Sequence, residues 1–350
     1  MNVKNIIPTP EQYLGFSVGA DRCLADWSQI VGYFRLLDAS PRFKVTEIGR
    51  STEDRPFLLA TVTSPENQAR LDELQSIQAR LADPRGLDQA EAAELMELGK
   101  TIVLITLSIH ATEVGASQMG LELAHELATL DDPETLEVLD NTILLLVPSL
   151  NPDGLDLVVD WYKKYLGTPY EGTAPPYLYQ KYTGHDNNRD WFMFTQAETR
   201  LAIEHIHNVW HPHIVHDQHQ QGPDGPRMVL PPFIDPYDEN VDPVIRQEVA
   251  WLGQAMAAEL TGQGKAGVMT NVIYDAFSPS RAYQHYHGGV RILSEAASVK
   301  IASPVKKSSQ DLVVGRGFDP KAATWNHPEP WKGGEWHLRD IVDYDKIVAW

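Results

Sequence analysis

Continuous apolar runs of strand length alternate with a stretch of helical periodicity in the middle of the chain. The runs are "TIVLITLS" at 101–108 and "NTILLLVPSL" at 141–150, and the stretch at 113–130 repeats its apolar residues with helical spacing. Such runs are typical of strands that are buried on both faces of a sheet. The order strand, helix, strand predicts an α/β unit.

Similar patterns flank this unit. Residues 44–64 predict a β-hairpin, because β-branched runs stand on either side of a polar turn. The stretch 65–99 is rich in Ala, Leu and Glu and is interrupted by "DPRG", so it predicts two surface helices. Further on, helical patterns precede a short strand at 213–219 and an apolar strand at 290–298.

Two stretches are rich in aromatic residues, Pro and Gly and are predicted to be long loops, one at 155–190 and one at 303–336. Long loops in compact domains are usually functional. The chain has no internal repeat, low-complexity tract or obvious linker. We therefore expect a single domain of catalytic type over 1–350, with a core at about 40–300, a helical insertion at about 65–99 and a loop-rich tail at 301–350.

Composition excludes several classes of protein. The 350 residues are 43% hydrophobic, which is enough for one large core. The formal net charge of −19 would repel nucleic acids and anionic membrane surfaces. Cys23 is the only cysteine, so neither an internal disulfide nor a CxxC metal site is possible. The first residues lack the apolar core of a signal peptide, so we expect a cytoplasmic protein, or an extracytoplasmic one if a leader has been removed.

His110 and Glu113 stand where the strand at 101–108 passes into the following helix. Ligands bind at the carboxyl ends of strands in open α/β sheets, and helical residues three apart share a face. Histidine nitrogen and carboxylate oxygen are zinc ligands, and a catalytic zinc takes three protein ligands and a water. The strand "HIVHDQHQQG" offers His216 and His219 as the third. The alternative is that all of these are ordinary polar residues at strand ends.

Five short motifs occur in an order that resembles the zinc carboxypeptidase family. They are His110-Ala-Thr-Glu113, Asn151-Pro-Asp-Gly154, Gly184-His-Asp-Asn-Asn188-Arg189, Asp217-Gln-His219 and Leu293-Ser-Glu295. Each is modest in specificity, but together they cover the chain from about 100 to 300. The resemblance implies an α/β fold with a twisted mixed sheet of about eight strands flanked by helices. It also implies one Zn²⁺ per chain.

The resemblance assigns roles to the residues of the metal centre. It implies that His110, Glu113 and His219 bind the zinc, that His216 has a supporting role, and that Asp217 orients the site. Glu295 matches the family's catalytic glutamate, a general base that takes a proton from water and gives it to the leaving amine. The alternatives for Glu295 are exposure at a strand end or an ion pair with Arg291.

The substrate-binding residues of the family have fewer counterparts in this sequence than the residues of the metal centre. The family's Asn-Arg pair, here Asn188 and Arg189, holds the C-terminal carboxylate of a peptide, for which the paired N–H donors of arginine are suited. A surface ion pair of Arg189 is the alternative. The family's further Arg, which polarises the scissile carbonyl, is absent between the zinc motif and Asn188, so Lys181 and Arg227 are candidates to replace it. Tyr283 is favoured as the family's mobile tyrosine over Tyr274 and Tyr286.

The function implied is that of a zinc-dependent metallocarboxypeptidase, which hydrolyses C-terminal peptide bonds in substrates with a free carboxylate. The alternative is a zinc-dependent amidase or deacylase on the same scaffold, acting on acylated amino acids or cell-wall peptides, and the missing Arg favours it. A non-catalytic binding protein is disfavoured, because the three ligands and Glu295 are all present.

Overall fold

An eight-stranded mixed sheet forms the centre of the fold. The computed structural model describes residues 7–178, 186–234, 238–273, 282–315 and 317–350. The strands in these ranges are β1 (Phe43–Arg50), β2 (Pro56–Val62), β3 (Thr101–Leu107), β4 (Thr142–Val147), β5 (Ile214–Gln221), β6 (Met228–Val229), β7 (Phe233–Ile234), β8 (Val268–Met269), β9 (Val272–Ile273), β10 (Val290–Ala297), β11 (Val305–Ser308) and β12 (Gly333–Trp336).

Helices cover both faces of this sheet. The α-helices in the described ranges are α1 (Pro10–Leu14), α2 (Trp27–Leu37), α3 (Pro65–Gln68), α4 (Leu71–Ala82), α5 (Gln89–Leu98), α6 (Gly115–Thr129), α7 (Pro133–Asn141), α8 (Pro152–Tyr165), α9 (Ala197–Ala202), α10 (Asn208–Trp210), α11 (Pro243–Gly262) and α12 (Leu338–Ala349). A π-helical turn (Ile203–His207) joins α9 to α10, and short 3-10 helices span Asn187–Arg189, Tyr283–His287 and Ser309–Asp311.

The strand order β1-β2-β4-β3-β5-β10-β6-β8 brings four parallel strands to the middle of the sheet. Strands β4, β3, β5 and β10 run in the same direction. Strand β2 is antiparallel to β1 and β4, and β6 is antiparallel to β10 and parallel to β8. The carboxyl ends of the four central strands therefore lie along one edge. The predicted mixed sheet of about eight strands is confirmed.

The sheet is buried on both faces, as the continuous apolar runs predict. Along β3, Ile105 and Leu107 belong to a core cluster with α2, α6, α8 and α12, which we call the first face. Ile102 and Leu104 belong to a second cluster with α4, α9 and α10, which we call the second face. Successive strand residues point to opposite faces, so one apolar run supplies both layers.

Most of the predicted elements are present. The hairpin is β1 and β2. The insertion at 65–99 contains the two predicted helices as α4 and α5, and also the short helix α3, which was not predicted. The strands predicted at 213–219 and 290–298 are β5 and β10. In the part of the chain that the structure describes, no helix is long and apolar enough to cross a bilayer.

The loop predicted at 155–190 is wrong in its first part, where α8 extends to Tyr165. The side chain of Asn151 accepts a hydrogen bond from the N–H of Gly154, and Pro152 stands at the first position of the helix. Both features start helices. Leu155, Val158 and Tyr162 then follow with helical spacing and are buried. The local richness in Tyr and Pro obscured this periodicity.

The loop-rich tail predicted at 301–350 contains the helix α12, and the core extends to it. Ile341 and Val342 are fully buried against the first face. Ion pairs fasten the helix to α6, from Arg339 to Glu122 at 2.6 Å and from Lys346 to Glu122 at 3.0 Å. The helix thereby supports α6, which begins just after His110 and Glu113.

Candidate active site

His110 and Glu113 lie in the corner between β3 and α6. Ser108, directly after β3, has a φ of 48°, which turns the chain through the left-handed region. The Ser108 hydroxyl donates to the carbonyl oxygen of Glu113 at 2.8 Å and accepts from the N–H of Ser117 at 3.1 Å. The corner is therefore braced against the first turn of α6.

The Asn-Pro-Asp-Gly motif braces the same corner from the side. The Asn151 side chain donates to the carbonyl oxygen of Ile109 at 3.2 Å, and the Asn187 side chain donates to the same oxygen at 2.9 Å. A Cβ atom on Gly154 would come within 2.7 Å of the Ala111 side chain. Glycine is thus required for α8 to approach the corner this closely.

The three predicted metal ligands come together at the carboxyl edge of the sheet. The ligand atoms of His110, Glu113 and His219 all lie within 4.8 Å of one another. The Nδ1 atom of His110 is 2.8 Å from Oε1 of Glu113, and Nδ1 of His219 is 3.1 Å from Oε2 of Glu113. His216 belongs to the first face, where its Nε2 contacts the Ser294 hydroxyl at 2.9 Å. Of the two histidines left open as third ligand, His219 is the one in the cluster.

The hydrogen bonds around the two rings define which nitrogen faces the centre. Nε2 of His110 contacts Oδ2 of Asp186 at 3.0 Å, and Nε2 of His219 contacts Oδ2 of Asp217 at 2.8 Å. A carboxylate only accepts, so these outer nitrogens carry the protons. In the neutral rings both Nδ1 atoms, which are 3.2 Å apart, present lone pairs to each other and to Glu113. Converging acceptors of this kind require a cation, and two imidazoles with one carboxylate fit zinc.

Without a metal ion, a proton serves as that cation. Burial alone lowers the pKa of His110, but the negative charges of Glu113 and Asp186 outweigh it and raise the pKa to about 10. Burial likewise opposes the shift of His219, whose pKa is raised by Asp217 and Glu113. The carboxyl of Glu113 has its pKa lowered by the two histidines against the effect of burial. Since a metal must displace protons from such a site, its affinity falls as the pH falls.

Glu295 lies beside His219 in the neighbouring strand. In the parallel pairing of β10 with β5, Glu295 is the partner of His219, so both side chains project from the same face. Glu295 is only 3% exposed. Arg291 on the same strand forms an ion pair with Asp217, which also accepts a hydrogen bond from Thr106 at 2.9 Å. Asp217 is therefore held on two sides while it contacts His219, as expected of an orienting residue.

Asn188 and Arg189 differ in their surroundings. Asn188 is 1% exposed, its N–H donates to Oδ1 of Asp186 at 2.8 Å, and its side-chain nitrogen has no partner among the described residues. Arg189 is exposed, and its Nη1 donates to the carbonyl oxygen of Asn188 at 3.1 Å. The side-chain amide of Asn188 thus offers a buried hydrogen-bond donor close to Asp186, the residue that contacts His110.

Arg227 is enclosed by protein. Its side chain is fully buried, and Nη2 donates to the carbonyl oxygens of Pro223 and Gly225, both at 2.7 Å. The guanidinium lies 4.4 Å from the ring centre of Trp331 and 5.0 Å from that of Trp336. Burial lowers the pKa of Arg227 to about 10. These contacts favour a structural role, and contact with a substrate stays a prediction.

Tyr283 packs in an aromatic group on the second face. Its ring lies 5.4 Å from that of His207 and 5.9 Å from that of Trp191. Its hydroxyl donates to the side-chain oxygen of Asn208 at 3.4 Å. Tyr286 donates instead to Asp238 at 2.6 Å. Lys181 and Tyr274 lie outside the described residues, so these substrate-binding assignments stay predictions.

Sequence reasoning missed two carboxylates. Asp186 lies within the Gly184 to Arg189 motif, two residues before Asn188, so its position could have marked it as the partner of His110. Asp345 on α12 lies outside all five motifs, so nothing in the sequence marks it as part of the site. It is fully buried, and neither of its side-chain oxygens has a partner among the described residues. Burial raises the pKa of its carboxyl well above the ordinary value, and Glu113 and Glu295 add to the shift.

The Asp345→Asn variant is expected to be more stable than the wild type when both are loaded with zinc, and the difference in the free energy of unfolding should grow as the pH rises. Below about pH 4 the carboxyl is protonated in both the folded and the unfolded chain. Above that pH the unfolded chain loses the proton while the folded chain keeps it, so the wild type loses up to about 1.4 kcal/mol of stability per pH unit until its folded pKa is passed. Denaturant unfolding at pH 5 and pH 8 should show the gap between variant and wild type widening by at least about 1 kcal/mol.

The matched control is Asp343→Asn on the same helix, where the carboxylate is more exposed and pairs with Arg339 at 2.7 Å. Its difference from the wild type should change little between the two pH values. A constant gap for Asp345→Asn would contradict the assignment of a buried neutral carboxyl.

Comparison with known proteins gives a family and a fold. The sequence matches the family described as zinc carboxypeptidase over residues 31–286. A search of curated proteins found no match. Among solved structures, a metallo-carboxypeptidase from Burkholderia cenocepacia superposes with a TM-score of 0.58 at 16% identity, over 92% of this chain and 66% of that one. The chain thus spans slightly less than two thirds of that structure.

Two further structures agree with this fold. Carboxypeptidase A from Helicoverpa armigera has a TM-score of 0.56 at 13% identity, over 99% of this chain and 80% of that one. A metallo-carboxypeptidase from Pseudomonas aeruginosa, solved in complex with (2-guanidinoethylmercapto)succinic acid, has a TM-score of 0.50 at 15% identity, over 92% and 65%. At such low identities the likeness concerns the fold alone.

Proposed function

The chain belongs to the zinc carboxypeptidase family, and from this premise we propose that it is a zinc-dependent metallocarboxypeptidase that hydrolyses the C-terminal peptide bond of its substrates. The observation that carries the proposal is the convergence of His110, Glu113 and His219 within 4.8 Å, with Glu295 on the adjacent strand position. The potential metal ligands and a potential base therefore lie close together at one edge of the sheet.

The metal would be held by Nδ1 of His110, Nδ1 of His219 and the carboxylate of Glu113. Asp186 and Asp217 fix the two rings through their outer nitrogens, which keeps the lone pairs directed inward. When bound in such a site, zinc acts as a Lewis acid and lowers the pKa of water to about 7.

Glu295 is the proposed general base. Its carboxylate accepts a proton from the attacking water and then transfers it to the nitrogen of the leaving amino acid. Because Glu295 is buried in the strand that pairs with β5, its position relative to His219 is set by the sheet. A residue on a rigid strand is well suited to a step that requires precise alignment.

Asn188 and Arg189 are proposed to bind the terminal carboxylate of the substrate. The side-chain nitrogen of Asn188 is buried without a partner among the described residues, and a carboxylate oxygen would satisfy it. Arg189 is exposed and adds a positive charge next to it. The ligand of the Pseudomonas aeruginosa protein is a succinic acid derivative, which supports a carboxylate-binding site in this fold.

A substrate panel tests this function directly. The purified protein would be loaded with zinc and offered a blocked dipeptide, the same dipeptide as its C-terminal amide, an acylated amino acid and a cell-wall peptide. We expect the dipeptide with a free carboxylate to be cleaved, activity to vanish with a chelator, and added zinc to restore it. Cleavage of the amide at the same rate would instead support the amidase alternative, and no zinc-dependent cleavage at all would refute the proposal.

A further inference from the structure

Four aromatic side chains lie together where α8 ends and the following loop begins. They are Trp161, Tyr165, Tyr170 and Tyr177, and we call them the aromatic platform. The ring centre of Trp161 is 4.3 Å from that of Tyr165 and 6.0 Å from that of Tyr177, and the rings of Tyr165 and Tyr170 are 5.7 Å apart. Ring centres at such separations are in favourable aromatic contact. The platform is therefore one continuous surface.

Much of the aromatic platform is open to solvent. Tyr170 is 60% exposed and Tyr177 is 53% exposed. Two neighbouring leucines, Leu166 and Leu178, are also exposed. Apolar surface that is concentrated in one place on a protein, where water would otherwise cover it, commonly marks a binding site.

The loop that carries two of these rings is held in place by hydrogen bonds. The Glu171 carboxylate accepts from Nε of Arg22 at 2.7 Å and from the hydroxyl of Ser303 at 2.6 Å. Nε1 of Trp161 donates to the carbonyl oxygen of Thr173 at 3.0 Å. Because the rings are already ordered, a ligand that binds to them pays little conformational entropy on the side of the protein.

The aromatic platform lies on the first-face side of the carboxyl edge of the sheet. Helix α8 belongs to the core cluster of the first face through Leu155, Val158 and Tyr162. The Tyr162 hydroxyl contacts the hydroxyl of Ser303 at 2.7 Å, and Ser303 shortly follows β10, the strand of the proposed base. The platform and the metal site are therefore on the same edge of the sheet.

The proposed anchor of the terminal carboxylate lies on the opposite side of the metal site. Asn188 borders a small cavity together with Trp191 and Val215, and these two residues belong to the core cluster of the second face. A peptide whose carboxylate is bound at Asn188 and whose scissile bond is at the metal site would therefore continue toward the first face. The aromatic platform is on that side.

The distance from the metal site to the platform corresponds to several residues of an extended peptide. The Asn151 side chain donates to the carbonyl oxygen of Ile109, which directly precedes His110, and Trp161 follows Asn151 on α8. With a rise of about 1.5 Å per residue, the helix places Trp161 about 15 Å from this corner. An extended chain advances about 3.3 Å per residue, so about five residues bridge the gap.

We propose that the aromatic platform binds an aromatic or large aliphatic side chain of the peptide substrate, about four to six residues on the N-terminal side of the scissile bond. This inference rests on the proposed carboxypeptidase function. A peptide is favoured as the occupant because the platform lies on the path of the chain that the metal site is proposed to cleave. The enzyme then prefers longer peptides with an apolar residue upstream, since binding energy from a remote part of a substrate raises kcat/KM.

Peptides of equal length that end in the same cleavable dipeptide test this inference. The zinc-loaded protein would be offered a blocked octapeptide whose upstream residues are Gly and Ser, and variants of it with one Phe or Leu placed at successive upstream positions. We expect Phe or Leu four to six residues from the scissile bond to raise kcat/KM at least about tenfold over the Gly and Ser peptide, mainly through a lower KM. Phe two residues upstream should give no such gain.

Tyr170→Ala and Tyr177→Ala remove the two most exposed rings of the platform, so the core of the protein is untouched. Each substitution should reduce the ratio of kcat/KM between the Phe peptide and the Gly and Ser peptide at least about threefold. The matched control is Trp325→Ala, since Trp325 is a 79% exposed aromatic residue that lies beside α11. It should leave this ratio unchanged.

Zinc-dependent cleavage with a ratio near one at every position of Phe and Leu would overturn the inference and leave the carboxypeptidase function intact. So would a gain that neither tyrosine variant reduces. A gain from an oligosaccharide attached to the N-terminus, with none from Phe or Leu, would replace the peptide by a saccharide as the occupant. The wild-type series decides even if a variant does not fold, and loss of cleavage for every peptide would remove both proposals.

Discussion

Glu295→Gln is expected to lower kcat by about 10³-fold or more while zinc content stays at one ion per chain. General acid–base catalysis by a positioned side chain contributes about 10²- to 10⁴-fold, and glutamine cannot accept the proton. Glutamine has nearly the same shape as the 3%-exposed glutamate, so β10 should keep its pairing with β5. Removing this carboxylate lowers the negative charge around His219 and so weakens zinc binding somewhat. The three ligands stay in place, so the loss in zinc affinity should be small beside the loss in kcat.

The measurement combines steady-state kinetics on a cleavable blocked dipeptide with metal analysis of the same sample. Glu122→Gln is a suitable control, because Glu122 is a partly buried carboxylate on α6 that pairs with Arg339 and Lys346 outside the site. It should lower the melting temperature but not kcat. If Glu295→Gln kept wild-type kcat with full zinc, the assignment of Glu295 as the base would be wrong.

His219→Asn is expected to abolish stable zinc binding and, with it, all measurable hydrolysis. The substitution removes one of three ligand atoms and leaves Glu113 and His110 as a two-ligand site, whereas a catalytic zinc takes three. Because a metal that binds only the folded state stabilises it by about 4 kcal/mol at 1,000 times its dissociation constant, the melting temperature of the variant should no longer respond to added zinc.

His216→Asn provides the matched comparison, since His216 lies on the same strand and contacts Ser294 on the opposite face. It should retain one zinc per chain and a zinc-dependent melting temperature, even if its stability falls. Metal analysis after dialysis and thermal unfolding with and without zinc would separate the two variants. Zinc retention by His219→Asn together with loss from His216→Asn would reverse the assignment of the third ligand.

The sheet could be predicted from the sequence because its signal is local. The runs at 101–108 and 141–150 are mainly apolar and do not alternate with polar residues, which is what burial on both faces requires. The ligand set depended on the motif resemblance, since His110, His219 and Glu295 are far apart in the chain and meet only through the pairing of β3 with β5 and of β5 with β10. Strand pairing between distant segments leaves no local pattern.

Other features had no readable signal or a misleading one. The periodicity of α8 was present, but its Tyr and Pro content suggested a loop. Asp345 lies in an amphipathic helix among apolar neighbours, where a single acidic residue would ordinarily be placed on the exposed side. The small cavity beside Asn188, Trp191 and His207 is lined by residues from well-separated parts of the chain, so no local sequence pattern marks it.

The position of α12 has a consequence for biosynthesis. The helix clamps α6 through Glu122, and its Asp345 carbonyl accepts a hydrogen bond from Gln218, the neighbour of His219, at 3.0 Å. The ribosome adds residues 338–349 after every candidate ligand and after Glu295. During translation the ligand-bearing segments therefore leave the exit tunnel before the helix that supports them, and a nascent chain that ends before α12 carries the complete donor set without its rigid backing.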